Sequence, residues 1–129
     1  QQVAILSIGH PGNFALQACD ELAKEGLYPA HYDMRFVKPL DTILLHEVFS
    51  NYKNVITVED GCIMGGFGSA VAEFMLDNHY SSNVVRLGIP DKWIEHGEQT
   101  ELYIECGFNT QAIINTVKQL CSAKTTQKV

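Results

Sequence analysis

A chain of 129 residues has the length of one ordinary domain, and 46% apolar with 19% charged side chains is the balance of a globular protein with a single core. Fifteen acidic against nine basic residues leave a net charge of −6, which argues against a nucleic-acid binder because phosphate contacts need a clustered basic surface. No apolar run reaches the roughly 18 residues of a membrane span. The four cysteines (Cys19, Cys62, Cys106, Cys121) and five histidines lack the spacing of a zinc site. Scattered cysteines point to free thiols in a reducing, cytoplasm-like compartment. The chain opens Gln1-Gln2 rather than on Met, which processing or an arbitrary boundary would explain and an excised domain would explain too.

Val3 to Ile8 is a β-branched apolar run, read as a buried strand, and Gly9-His10-Pro11-Gly12 is the turn that ends it. Phe14, Leu16, Ala18, Leu22 and Ala23 give a helical stripe stopped by Gly26. A second strand is expected within Tyr28 to Val37. Lys38-Pro39 holds its first residue extended, and Asp41 is a good N-cap for a helix over Thr42 to Phe49, with Leu40 and Leu45 as a hydrophobic staple. Val55 to Val58 is a third strand, delivered into Glu59-Asp60-Gly61. The glycine-rich turn Gly65-Gly66-Phe67-Gly68 then opens a helix carrying Val71, Phe74 and Met75. Val84 to Ile89 is a fourth strand, closed by Pro90. A short helix over Gln99 to Cys106 should stop at Gly107. Asn109 or Thr110 would then cap a last helix with Ile113, Val117 and Leu120 on one face. Residues 1–121 thus form one domain, and 122–129 read as a polar, fraying tail. Strands alternating with helices predict a three-layer α/β/α sandwich with a mainly parallel, four- to five-stranded sheet.

Ligands of such sheets bind beyond the carboxyl ends of the strands, and two loops there contain glycines. Gly9-x-x-Gly12, with Asp33 downstream, is half of a dinucleotide fingerprint. It lacks the middle glycine that lets a pyrophosphate approach, so a tight strand-to-helix turn explains it better. In the second loop, Asp60 to Ser69, glycines free backbone N–H groups near a helix start, where an anion is favoured. Glu59 and Asp60 at its mouth would repel a phosphate, and the Lys-Ser/Thr of a P-loop is missing. Close packing, of helix on strand or of this loop on another polypeptide, accounts for the glycines better. Ser69 is not in a G-x-S-x-G elbow, and nothing ties Cys62 to a histidine, so no nucleophile stands out. Glu59 and Asp60 are adjacent and would point to opposite faces of a strand; a loop carboxylate and a solvated or capping one suit them better than an acid–base pair. Trp93 and His96 lie in a loop bounded by Gly97. They are read either as a partner anchor or as a ring packed over the sheet edge beside an exposed imidazole.

Four ordered blocks carry a family resemblance: Asp33-Met34-Arg35-Phe36-Val37-Lys38-Pro39-Leu40-Asp41; Val58-Glu59-Asp60-Gly61 with Met64-Gly65-Gly66-Phe67-Gly68-Ser69; Leu87-Gly88-Ile89-Pro90-Asp91 with Gly97; and Glu105-Cys106-Gly107-Phe108. From about Val3 to Leu120 the chain resembles the C-terminal, third domain of the 1-deoxy-D-xylulose-5-phosphate synthases. More broadly it is similar to the C-terminal domain shared by transketolases and the β-type subunits of 2-oxo acid dehydrogenases. The resemblance implies a parent transferase that joins pyruvate to glyceraldehyde 3-phosphate with loss of carbon dioxide, using thiamine diphosphate and Mg²⁺. It also implies a role in isoprenoid and thiamine biosynthesis.

No Gly-Asp-Gly with a downstream Asn is present here, and no residue matches the family's cofactor-ring glutamate. The expectation is therefore a domain without catalytic, cofactor or metal residues of its own and inactive alone. It would pack on the preceding domains of the same polypeptide and extend a homodimer interface. Glu59, Asp60, Gly65, Gly66, Phe67, Gly68, Ser69, Trp93 and His96 are the candidate interface or anion-contact residues. The family's domain has a fifth, antiparallel strand, expected here to be missing or reduced. A bacterial cytoplasm is the expected location, with a plastid stroma as the other possibility. The alternatives are a transketolase or dehydrogenase β-type C-terminal domain, which the Arg35-to-Asp41 block disfavours, and a stand-alone phosphate-ligand-binding module.

Overall fold

The computed structural model describes residues 2–34, 40–60, 66–89 and 99–126. Strands and helices alternate: β1 (Val3–Ile8), α1 (Gly12–Ala23), β2 (Ala30–Met34), α2 (Thr42–Asn51), β3 (Asn54–Asp60), α3 (Phe67–Asp77), β4 (Asn83–Ile89) and α4 (Gln99–Thr126). Each strand pair is parallel, and the order across the sheet is β2-β1-β3-β4. The three-layer α/β architecture predicted from the alternating pattern is the observed one, with four strands among the described residues.

β1 shows why the sequence reads so clearly. In a parallel sheet covered on both sides, a central strand has no solvent face and becomes a continuous apolar run. Val3 and Ile5 join one core with Phe14, Ala15, Ala18, Leu22, Ile113, Ile114 and Val117, beneath α1 and α4. Ala4 and Leu6 join the other, with Leu45, Val48, Phe49, Phe67 and Val71 beneath α2 and α3.

The helix ends follow local chemistry. Asp41 is the N-cap of α2, its carboxylate accepting from Leu44 N–H at 3.1 Å, and Leu45 is fully buried. α1 closes in a Schellman motif: Leu27 N–H donates to Leu22 C=O and Gly26 N–H to Ala23 C=O, with Gly26 at φ +80°. The buried face of α1 is Phe14, Ala15, Ala18 and Leu22, whereas Leu16 is 57% exposed. The true stripe follows the 3.6-residue period, from which Leu16 lies off by more than a quarter turn.

α4 departs from the prediction. It is one helix of 28 residues running through Gly107, not two, and it continues past Ser122 to Thr126. An interior glycine costs only about 1 kcal/mol relative to alanine. Asn109 and Thr110 are not end-caps: both are buried, and Thr110 Oγ1 donates to Gln17 Oε1 on α1 at 3.2 Å. Lys118 pairs with Glu25 at 2.9 Å, with the same sequence separation, so α1 and α4 run parallel in constant register. That register sets Cys19 level with residue 112, about 13 Å along the helix from Cys121 at 1.5 Å per residue. A disulfide needs Cα atoms within about 7 Å, and both thiols are free.

Candidate functional site: the crevice between the first and third strands

In the order β2-β1-β3-β4 the chain reverses its winding between β1 and β3. At such a switch point the loops leaving neighbouring strands diverge to opposite faces, and the crevice between them is where open α/β sheets bind ligands. The loops leaving β1 and β3 are the two glycine-containing turns singled out from sequence.

After β1, Gly9 takes φ +73°, a left-handed conformation that favours glycine. Gly12 N–H closes the turn onto Gly9 C=O at 3.0 Å. A Cβ on Gly12 would lie 3.1 Å from Ser7 Oγ, so this glycine is what lets α1 start against the end of β1. Ser7 is fully buried and shares a hydrogen bond of 2.7 Å with His31 Nε2 on the neighbouring strand. Burial pushes the His31 imidazole below its usual value, and the Asp33 charge partly offsets this. A serine–histidine contact is the form of a nucleophile and base, but Ser7 lies sealed beneath Gly12, where no substrate carbonyl can reach it. Sequence reasoning missed this pair because its members are 24 residues apart and meet only through strand register.

After β3, the decisive residue is Glu59. Its side chain is 2% exposed; Oε2 accepts from Phe67 N–H and Oε1 from Gly68 N–H, both at 3.1 Å. The N-cap of α3 is Gly66, which supplies no side-chain cap. Glu59 therefore reaches across from the last turn of the strand and fills the position where an external anion would sit. Hydrogen bonds to a charged acceptor are worth about 1.5–3 kcal/mol each, and the helix dipole adds to them.

Gly68 provides the close approach that makes this possible. A Cβ there would meet Arg86 Cδ at 2.9 Å, Arg86 Cγ at 3.0 Å and Thr57 Oγ1 at 3.0 Å. The Arg86 stem crosses Gly68, and its guanidinium donates to Ser69 Oγ at 2.9 Å. Thr57 Oγ1 is buried without a hydrogen-bond partner among the described residues.

The sequence candidates therefore separate. Glu59, Gly66, Phe67, Gly68 and Ser69 are brought together at the start of α3. Phe67 is 1% exposed and packs in the core under α2 and α3. It is not an outward contact residue, because the first turn of α3 must bury its apolar side to lie on the sheet. Asp60 is the last residue of β3, its backbone opposite Ile89. Gly65, Trp93 and His96 lie outside the described residues, as does the Arg35-to-Pro39 stretch. The diphosphate of thiamine diphosphate does not fit the start of α3, because Glu59 already occupies the amide donors that it would need.

The profile of the family "Transketolase, C-terminal domain" matches residues 1–113. The chain belongs to this family. It is 63% identical over 118 residues to a 1-deoxy-D-xylulose-5-phosphate synthase of Cytophaga hutchinsonii, covering 92% of this chain and 19% of that protein. It is 50% identical over 117 residues to a synthase with the same name from Parabacteroides distasonis, covering 91% and 18%. The chain thus spans about a fifth of the length of these curated relatives. Among solved structures it is similar to a split-gene transketolase, an inactive β4 tetramer, with a TM-score of 0.71 and 30% identity over 92% of this chain and 37% of that one.

Proposed function

We propose that this transketolase C-terminal domain is part of a 1-deoxy-D-xylulose-5-phosphate synthase, a transferase that condenses pyruvate with glyceraldehyde 3-phosphate and releases carbon dioxide. The observation that carries this reading is the 63% identity sustained across 92% of the chain. Thiamine diphosphate and Mg²⁺ belong, on this reading, to the other four-fifths of the parent. The reducing compartment inferred from the free thiols suits a bacterial cytoplasm.

Within the parent the domain's work is structural: it packs on the preceding domains and contributes to a homodimer. The polar groups at the switch-point crevice support this, because their bonding is internal. Glu59 is engaged by α3, Ser69 by Arg86 and Ser7 by His31. The tetramer described for the split-gene transketolase is itself inactive, which favours inactivity for this chain alone. The same relative keeps a transketolase parent as the second reading, at less than half the identity of the synthase match. A stand-alone phosphate-binding module is disfavoured by the carboxylate already seated at the start of α3.

The test begins with an immunoblot of source lysate using an antibody raised against this chain. A band several times heavier is expected. The protein in it, purified and supplied with thiamine diphosphate and Mg²⁺, should consume pyruvate and glyceraldehyde 3-phosphate with release of carbon dioxide. A native band at the chain's own mass overturns the domain reading. Activity only with ketose-phosphate donors transfers the assignment to transketolase.

A further inference from the structure

We propose that the outer edge of β4, with the flank of α3 above it, is the surface on which this chain pairs with a second copy of itself, β4 lying antiparallel to β4 in one continuous sheet. β4 is the last strand in the order β2-β1-β3-β4, and nothing among the described residues pairs with its outer side. It spans seven residues, Asn83–Ile89, with neither proline nor lysine, and so lacks the devices that commonly blunt a sheet edge. Its one charge does not guard the edge: the Arg86 stem lies back across Gly68, and the guanidinium donates to Ser69 Oγ.

The independent observation is the flank of α3. A Cβ on Gly68 would meet both Thr57 of β3 and Arg86 of β4, so α3 starts over the gap between these strands. Phe74 turns toward α2, in ring contact with His46 and Phe49. Ser69, Glu73 and Leu76 follow the 3.6-residue period on the other side, over β4. Leu76 is 66% exposed there, and no ion pair engages Glu73 among the described residues. Strands pair at about 4.8 Å, and each α3 axis lies half a spacing inside its own β4. Joining two β4 edges therefore sets the two α3 axes about 10 Å apart, the distance of directly packed helices. Each exposed Leu76 is then covered by the other copy's α3.

Charge fixes the register. Ser69 is level with Arg86, to which it is bonded. Glu73 lies four residues, or about 6 Å, further along α3, and α3 ends where β4 begins, so Glu73 is level with Val84, about two strand residues back. A two-fold axis at Val85 sets each Val84 opposite the other copy's Arg86. It thereby brings each Glu73 to the other copy's Arg86 and keeps the two arginines apart. The surface is self-complementary, with every contact made twice, as an isologous pair requires. This inference gives a surface to the homodimer contact proposed above. It is tested on this chain without substrate, so its failure and that of the synthase reading are told apart.

The test is sedimentation of this chain over rising concentration, with backbone amide exchange followed by NMR. The mass should approach twice 14.3 kDa reversibly, and alternate amides of β4 should gain protection as it does. Glu73→Lys and Arg86→Glu should each weaken pairing at least tenfold. An equimolar mixture of the two should restore it, because both cross-copy contacts then join opposite charges again. A chain that stays monomeric to about 1 mM, protection gained away from β4, or a mixture no tighter than either variant overturns the proposal. So does protection of β4 found only in the heavier parent without self-association of this chain, which would give the edge to another part of that polypeptide. Should Arg86→Glu fail to fold, Leu76→Glu on the exposed flank supplies the reading: pairing should again weaken at least tenfold, and unchanged pairing overturns the proposal.

Discussion

His79 and Gly26 occupy the same position in the same motif, and substitutions at the two should move stability in opposite directions. α3 ends as α1 does: Tyr80 N–H donates to Met75 C=O and His79 N–H to Leu76 C=O, with His79 at φ +61° where α1 has Gly26 at φ +80°. A side chain in the left-handed region costs roughly 1–2 kcal/mol. Glycine avoids that cost but adds unfolded-state entropy worth about 0.4–1 kcal/mol. His79→Gly should therefore stabilise the chain by about 0.5–1 kcal/mol, or roughly 2–5 °C in Tm for a domain of this size. Gly26→Ala should destabilise it by a similar amount; nothing lies within 4 Å of the added Cβ, so its cost is conformational rather than steric. His79→Ala is the control for the imidazole itself and should stay near the starting stability, since alanine also carries a Cβ. Urea unfolding with an unchanged m-value measures all three. A lower midpoint for His79→Gly, or a higher one for Gly26→Ala, would refute the reasoning.

Two further outcomes follow from the buried face beneath α2 and α3. Thr57→Val removes a buried hydroxyl without a partner among the described residues; it should be neutral or stabilising by up to about 1 kcal/mol in urea unfolding, and a loss larger than that would mean the hydroxyl is satisfied. The Tyr32 phenol is pushed up to about 12, first by its hydrogen bond with Tyr52, then by burial and by the charges of Tyr52 and Glu47. The folded chain holds that proton more tightly than the unfolded chain, whose tyrosine titrates near 10. The resulting stability is fully present below about pH 10 and is lost as pH rises through about 12. Tyr52→Phe should move the late phase of the tyrosine absorbance titration to lower pH; an unmoved phase would remove Tyr52 as the cause.

What could be read from the sequence was whatever depends on neighbours along the chain. β1 was visible because a central parallel strand buried on both faces is a near-continuous apolar run, and β3 and the edge strand β4 were visible from their shorter β-branched stretches, Val55-Ile56 and Val84-Val85. Asp41 was visible as a cap because its partner, Leu44 N–H, is three residues away. The break expected at Gly107 failed for the opposite reason. Asn109 and Thr110 look like caps locally, yet in the fold both are buried in α4, and Thr110 bonds to α1 across 93 residues. Ser7 and His31 were invisible because only the register of β1 on β2 joins them. Capping was one of the roles expected for the Glu59-Asp60 pair, by either residue. That Glu59 caps α3, with both oxygens and from the end of a strand, depends on how closely Gly68 lets the helix approach.

The two glycine turns show why composition alone misassigns such loops. Glycines beside a helix start at a switch point are the raw material of a phosphate site, and both turns have them. In the first, Gly9 supplies a left-handed residue and Gly12 makes room for Ser7, so both glycines are engaged by the protein's own backbone and side chains. In the second, Gly68 makes room for the Arg86 stem, and the amides it frees are taken by Glu59. The informative residue in that turn is therefore the acid that precedes the glycines. A carboxylate on the inward face at the end of the strand, eight and nine residues before the amides it accepts, competes with any anion for the same donors. It does so from within the chain, with no loss of translational freedom. Among the described residues this geometry makes the start of α3 a packing device.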